Sequence, residues 1–159
     1  MEESLSRRAK KIQDVLSARG VNLEVVELPS STRTVAEAAS AIGCTVAQIA
    51  KSILFRTVES KRPILVVASG VNRVNESSIG EKVGESIEKA DANFVREKTG
   101  FVIGGVPPIG HAEPIYTIID EDLLGLGDIW AAAGTPNSVF RLSGEVLLKM
   151  TSGVVMSVK

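Results

Sequence analysis

The sequence predicts a mixed α/β (α+β) domain, and three observations carry that prediction. Apolar stretches of strand length occur both in adjacent pairs and separated by helical patterns, so neither strict alternation nor an all-β pattern fits. The stretch 64–69 is almost wholly apolar, as a strand covered on both faces must be. Five segments open on a helix-capping residue, two of them as Thr-x-x-Glu/Gln boxes at Thr34 and Thr45, the others at Asn75, Asp91 and Ser143.

The elements follow in order. Leu5, Ala9, Ile12, Val15 and Leu16 recur at three- and four-residue spacing and predict an amphipathic helix that stops near Gly20. Residues 24–28 read as a strand ended by Pro29. Thr34 and Glu37 open a helix that ends at Gly43, and Thr45 with Gln48 opens another at once. That helix delivers Lys51 to a strand over 52–58, and Lys61-Arg62-Pro63 turns the chain into the apolar strand 64–69. A loop over 70–75 precedes a helix from Asn75 to Gly84, and a second helix runs from Asp91 to Gly100. Strands are expected at 101–103, 116–119, 129–133 and 139–142, then a helix capped by Ser143 to about Met150, then a closing strand over 154–158. No internal repeat, linker or low-complexity tract interrupts this order.

A chain of 159 residues fits one domain, 1–159. Such a chain buries roughly two thirds of its unfolded surface, enough for a core without disulfides. Aromatic residues make up only 4%, so that core must be built of Val, Ile, Leu and Ala. The single Cys44 has no internal disulfide partner, and the charged N-terminus shows no signal-peptide pattern, which together predict a cytoplasmic protein. No apolar stretch reaches membrane-spanning length. One His and one Cys, distant in sequence, do not make a typical zinc site, and the glycines are not followed by a Walker Lys-Ser/Thr, so neither metal nor cofactor is expected. A net charge of −1 argues against a broad phosphate footprint; contact with nucleic acid would be confined to an end or would rely on a second protein.

The densest chemical signal is Thr99-Gly-Phe-Val-Ile-Gly-Gly-Val-Pro-Pro-Ile-Gly-His111. Gly104, Gly105, Pro107, Pro108 and Gly110 give this loop a set shape and leave the backbone N–H groups of Gly104, Gly105 and Val106 bare. Such a loop suits a small ligand or an oxyanion; it equally suits a tight turn between strands. Lys51 is flanked by Ile49, Ile53 and Leu54, so its ammonium either snorkels to water or meets an anion in a cleft. Ser52 beside it adds a hydroxyl. Ser69, Asn72 and Arg73 follow a buried strand, a common place for ligand contacts, and Arg73 suits a phosphate. His111 has no sequence neighbours that would orient it as a general base, and no Ser-His-Asp or Cys-His arrangement can be assembled. If an ester is cleaved, the attacking group is water or the substrate itself, with the protein positioning it and stabilising the oxyanion.

Four segments carry a family resemblance: the glycine-proline loop with Gly104-x-x-x-Pro108, Ala50-Lys-Ser-Ile-Leu-Phe55, Val67-Ala-Ser-Gly-Val-Asn-Arg-Val74 and Ala131-Ala-Ala-Gly-Thr-Pro-Asn137. Together they resemble the YbaK/EbsC family, relatives of the editing domain of bacterial prolyl-tRNA synthetases. The resemblance implies a compact, curved, barrel-like mixed sheet with flanking helices. It implies a trans-acting deacylase for mischarged tRNA, most simply tRNA for proline carrying a small amino acid or cysteine, with prolyl-tRNA synthetase as a possible partner. In that reading Lys51 holds the ester end, Gly104 and Gly105 stabilise the oxyanion, and Ser52, Ser69, Asn72, Val106, Pro107, Pro108, Ala132 and Gly134 surround the substrate. The basic residues Arg7, Arg8, Lys10 and Lys11 of the first helix form a solvated face or touch tRNA phosphates. Ala132 and Val139 depart from the cysteine-specific branch, which places polar groups there. Two alternatives stay open: a non-catalytic module that docks on tRNA or a synthetase, and a small-ester hydrolase unrelated to tRNA.

Overall fold

The computed structural model describes residues 5–28 and 34–159, so Pro29, expected to end the first strand, lies outside it. Among the described residues five helices, α1 (Arg7–Ala18), α2 (Val35–Ile42), α3 (Glu76–Val83), α4 (Ala92–Thr99) and α5 (Gly144–Thr151), surround one sheet. Its strands are β1 (Val25–Glu27), β2 (Ile49–Thr57), β3 (Pro63–Ser69), β4 (Ile87–Lys89), β5 (Tyr116–Asp120), β6 (Asp128–Ala132), β7 (Ser138–Ser143) and β8 (Val154–Met156). They lie in the order β1-β7-β6-β2-β3-β5-β8, with β4 joined to β2 off that path. The sheet is mixed: β2 and β6, β3 and β5, and β5 and β8 pair parallel, while the other ladders are antiparallel.

Local chemistry sets the helix ends. The side chains of Ser6, Thr34, Asn75, Asp91 and Ser143 each accept a backbone N–H from the first turn they precede. α1 buries Ala9, Ile12 and Leu16 completely against the sheet, and each of the two larger side chains contributes about 1.5–3 kcal/mol. One face of the sheet packs on α1, α4 and α5 through Leu54, Leu65, Val67, Phe140 and Leu142. The other face carries two separate apolar clusters. One gathers Phe55, Ile64, Val66 and Ile118 around Ile79 of α3; the other gathers Ala38 and Ala39 of α2 with Ile49 and Trp130.

Three local expectations are corrected, and two elements are added. Thr45 and Gln48 open only a single 3-10 turn, Val46–Gln48, in which the Gln48 carboxamide accepts the Thr45 N–H at 2.9 Å. The chain then enters β2 at Ile49, earlier than expected, because Ile49 and Ala50 find ladder partners in β6. Residues 101–103 form no strand: the Phe101 N–H bonds Thr99 Oγ1 at 3.0 Å and the Val102 carbonyl accepts Gly105 N–H, so both are spent on a turn. β4 and the 3-10 turn Glu121–Gly125 are additions; β4 is three residues long and presents Glu88 and Lys89 to solvent rather than an apolar alternation.

Candidate active site

The site grows from the way β2 is shared. On the edge away from β3, β2 pairs with β6 only at Ile49 and Ala50, and with β4 only at Phe55, Arg56 and Thr57. Residues 51–53 have no strand beside them on that edge. Lys51 and Ser52 therefore sit where the sheet opens. Strand alternation places Lys51 on the face of Ile49, and the parallel register Ile49↔Trp130 puts Trp130 and Ala132 on that face too. The antiparallel pair Ala132↔Val139 adds Val139. Lys51 thus lies in the trough between the α2 cluster and the α3 cluster.

A cavity of about 130 Å³ occupies this opening. It is lined by Thr34, Val35 and Ala38 at the start of α2, by Trp130, Ala131 and Ala132 of β6 with Pro136, Ser138 and Val139, by Gly104 and Val106, and by Lys51 and Ser52 of β2. Gly70 makes the α2 wall possible. A Cβ there would lie 2.3 Å from the Val46 carbonyl oxygen and 2.5 Å from Val35 Cγ1, so a larger residue would push α2 away.

Lys51 forms no ion pair within 4 Å among the described residues. Burial lowers its pKa; the Asp120 carboxylate opposes that, and neighbouring Lys89 reinforces it. Asp120 is fully buried and held by N–H donors from Ser69, Asn72 and Asp122 at 2.8–3.0 Å. The Ser52 hydroxyl is buried with no hydrogen-bond partner, the one such side-chain atom among the described residues. By contrast, the Ser138 hydroxyl is paired with Thr135 Oγ1, and Thr34 Oγ1 donates to Glu37 at 3.0 Å.

The loop after α4 contributes less than expected. Gly104, at φ +90°, lines the cavity, and neither its N–H nor that of Val106 meets a protein acceptor among the described residues. Gly105 is a correction: its N–H donates to the Val102 carbonyl at 3.0 Å, and its Cα packs so tightly on Thr135 that a Cβ would lie 2.9 Å from that backbone. It builds the loop rather than presenting a donor. Pro107 and Pro108 are buried and do not line the cavity; the Pro107 carbonyl bonds His111 Nε2 at 2.7 Å, and Pro108 faces a separate hollow with His111. Gly134, at φ +100°, is pressed against the Arg8 carbonyl and the Phe101 ring, where any side chain would clash. Ser69 spends its hydroxyl on the Ala47 carbonyl at 2.7 Å, and Asn72 spends its amide on Asp120 and Asp122. Of the expected residues, Lys51, Ser52, Gly104, Val106 and Ala132 meet at one cavity, while Gly105, Pro107, Pro108, Ser69, Asn72 and Gly134 do not line it. Sequence reasoning missed Thr34, Val35 and Ala38, Trp130 and Ser138; only the Thr34 cap marked that segment, and it marked a helix start.

His111 is partly buried. Burial pulls its pKa below the usual 6.5, the bond to the Pro107 carbonyl opposes this, and Arg19 adds to the lowering. It occupies a different hollow from Lys51. Among the described residues no cluster of His, Cys, Asp and Glu could hold a metal ion, and no helix is long and apolar enough to cross a membrane.

Comparison with known proteins gives this arrangement a context. The model of the aminoacyl-tRNA editing domain matches residues 29–150. A solved structure described as a candidate trans-editing enzyme for prolyl tRNA synthetase superposes with a TM-score of 0.93 at 46% identity, covering 98% of this chain and 99% of that one. The uncharacterized protein YwhH of Bacillus subtilis is 34% identical over 124 residues, 78% of each chain. The proline--tRNA ligase of Lactobacillus acidophilus is 30% identical over 95 residues, 59% of this chain but only 16% of that much longer protein.

Proposed function

Because the chain belongs to the aminoacyl-tRNA editing domain family, we propose that it is a trans-acting deacylase that hydrolyses the ester of mischarged tRNA, with tRNA for proline carrying a small amino acid as its substrate. The observation that carries this reading is the coincidence at one small cavity of a partly desolvated lysine, an unpaired buried hydroxyl and two unpaired backbone N–H groups. Lys51 holds and polarises the ester end as a compact cation. The N–H groups of Gly104 and Val106 are the donors available to a tetrahedral oxyanion. Ser52 Oγ binds a polar group common to every aminoacyl ester, its amine or its carbonyl. The described residues around the cavity offer no paired nucleophile and base, so water or the substrate's own side chain attacks the carbonyl, and the site contributes positioning and charge stabilisation.

The need for such a site is physical. A synthetase pocket rejects an amino acid smaller by one methylene by only about 1–3 kcal/mol, and a second site that admits small side chains alone corrects the error. The test is deacylation of alanyl-tRNA for proline by the purified protein. Release of alanine that depends on Lys51 supports the reading; an inert protein across a panel of mischarged tRNAs removes it.

A further inference from the structure

A second hollow adjoins the cavity and shares Lys51 with it. Its volume is about 290 Å³, and it is lined by Ile53 and Phe55 of β2, Lys89 at the end of β4, Glu76 at the start of α3, and the loop 70–74 with Asn72 and Arg73. Three cationic side chains, Lys51, Arg73 and Lys89, converge here from three separate segments. None of them forms an ion pair within 4 Å among the described residues, although Arg56, Lys61 and Lys98 nearby in sequence all do. Two carboxylates stand near without pairing with them. Glu76 lines the hollow from the first turn of α3, and Asp120, which favours the Lys51 cation from beyond ion-pair distance, accepts donors from Ser69, Asn72 and Asp122. Asn72 fixes the loop: its amide donates to Asp120 at 2.8 Å and to Asp122 at 2.7 Å, which holds Arg73 beside the strand.

Like charges gathered with no direct ion pair repel one another and are retained where an anion comes to rest. We propose that this hollow binds a phosphate group, specifically the phosphodiester next to the aminoacylated 3′ nucleotide, with Arg73 and Lys89 as its ligands and Lys51 bridging to the ester. The inference rests on the deacylase reading for the identity of the nucleic acid, but not for the anion chemistry. It also accounts for a chain of net charge −1 gripping RNA: a local cluster at one end of the substrate suffices where a broad basic surface is absent.

The test is equilibrium binding of a fluorescein-labelled single-stranded RNA ending in CCA, across a salt series, to the intact protein and to R73Q, K89Q and the control K149Q on α5. Arg73→Gln and Lys89→Gln are expected to weaken binding by up to roughly five-fold each. Each should also reduce the salt slope by about 0.7, one released counter-ion per lost phosphate contact, while Lys149→Gln leaves both unchanged. Inorganic phosphate and adenosine monophosphate are run as competitors. Displacement of the labelled oligomer by adenosine monophosphate at a lower concentration than unlabelled CCA oligomer requires would reassign the hollow to a free nucleotide and overturn the phosphodiester. Binding that is absent, or equally affected by Lys149→Gln, overturns the site. Oligonucleotide binding that depends on Arg73 in a protein that deacylates nothing would remove the enzymatic reading and leave the phosphate site standing; deacylation with no Arg73 or Lys89 dependence of binding would do the reverse.

Discussion

Lys51 shows how far a single residue could be understood from its neighbours. Ile49, Ile53 and Leu54 made an ammonium there costly, but whether it reached water or a cleft depended on where β6 ends and β4 begins, which sequence spacing does not encode. Its environment makes two measurements informative. Lys51→Ala is expected to lower single-turnover deacylation at least about 10²-fold while the thermal unfolding midpoint stays within a few degrees, because the group stabilises charge and packs little; a folded variant with full turnover would end its role. The pH profile tests its charge. In the proposed reaction the cation is the active form, and its pKa is lowered, so activity should hold through neutral pH and fall as pH rises through a value below 10.5. Lys89 reinforces that lowering, so Lys89→Gln should move the alkaline limb upward; a limb that does not move excludes the coupling. Ser52 offers a sharper contrast. Its hydroxyl is buried and unpaired, at a cost of about 1–3 kcal/mol to the free protein. Ser52→Ala should therefore unfold at equal or higher denaturant concentration yet turn over more slowly. A variant both less stable and fully active would contradict the assignment.

At the scale of elements, capping chemistry and apolar periodicity located the helices well, because Thr34, Asn75, Asp91 and Ser143 act on their own backbone within one turn. The same locality explains the misses. β4 exists only because β2 has a free edge at Phe55–Thr57, and 101–103 is a turn only because Thr99 and Gly105 take its polar groups. The glycine-proline loop was visible as a constrained segment, but which glycine faces the cavity was not. That distinction is testable. Gly105→Ala places a Cβ 2.9 Å from the Thr135 backbone and should cost about 1–3 kcal/mol of stability in denaturant titration. Gly104→Ala meets nothing within 4 Å, so its cost is the left-handed backbone alone, about 1–2 kcal/mol, while any shift of its N–H appears in kcat. Equal loss of stability and equal loss of turnover in the two variants would erase the difference. His111 ties the far end of the loop to pH. Its folded pKa is depressed, so its contribution is complete above the unfolded value of 6.5 and is lost as pH falls through that value toward the folded one. The unfolding free energy of the wild type should drop more steeply than that of His111→Gln as pH falls below 6.5; parallel curves would show that His111 does not titrate with folding.

The whole molecule decides specificity, because the cavity is assembled from α2, β2, the loop after α4, β6 and β7, segments separated by a hundred residues. Sequence resemblance supplied the members Lys51 and Gly104; only the register between β2, β6 and β7 brings Trp130, Ala132 and Val139 onto the face of Lys51. The polar side chains around the cavity are already committed, Ser138 to Thr135 and Thr34 to Glu37, which leaves Ser52 for a group shared by all substrates. In the proposed reaction the wall left to meet the amino-acid side chain is apolar: Val35, Ala38, Ala132 and Val139. An apolar wall discriminates by size and does not reward a thiol or hydroxyl, whereas a wall built to hydrogen-bond one would discriminate strongly. Alanine on tRNA for proline should accordingly be removed at least as fast as cysteine, and proline, the bulkiest of the three, should be removed most slowly from a cavity of about 130 Å³ that must also admit the ester. A competing effect works through the substrate: a cysteinyl thiol can attack its own ester and accelerate release without any polar contact. Single-turnover rates on alanyl-, cysteinyl- and prolyl-tRNA at one enzyme concentration separate the two. Alanine equal to or ahead of cysteine, with proline far behind both, is the expected order. A large cysteine preference that persists in Ala132→Ser would show that the substrate's own thiol governs the rate, and rapid loss of proline would show that the cavity does not exclude by size.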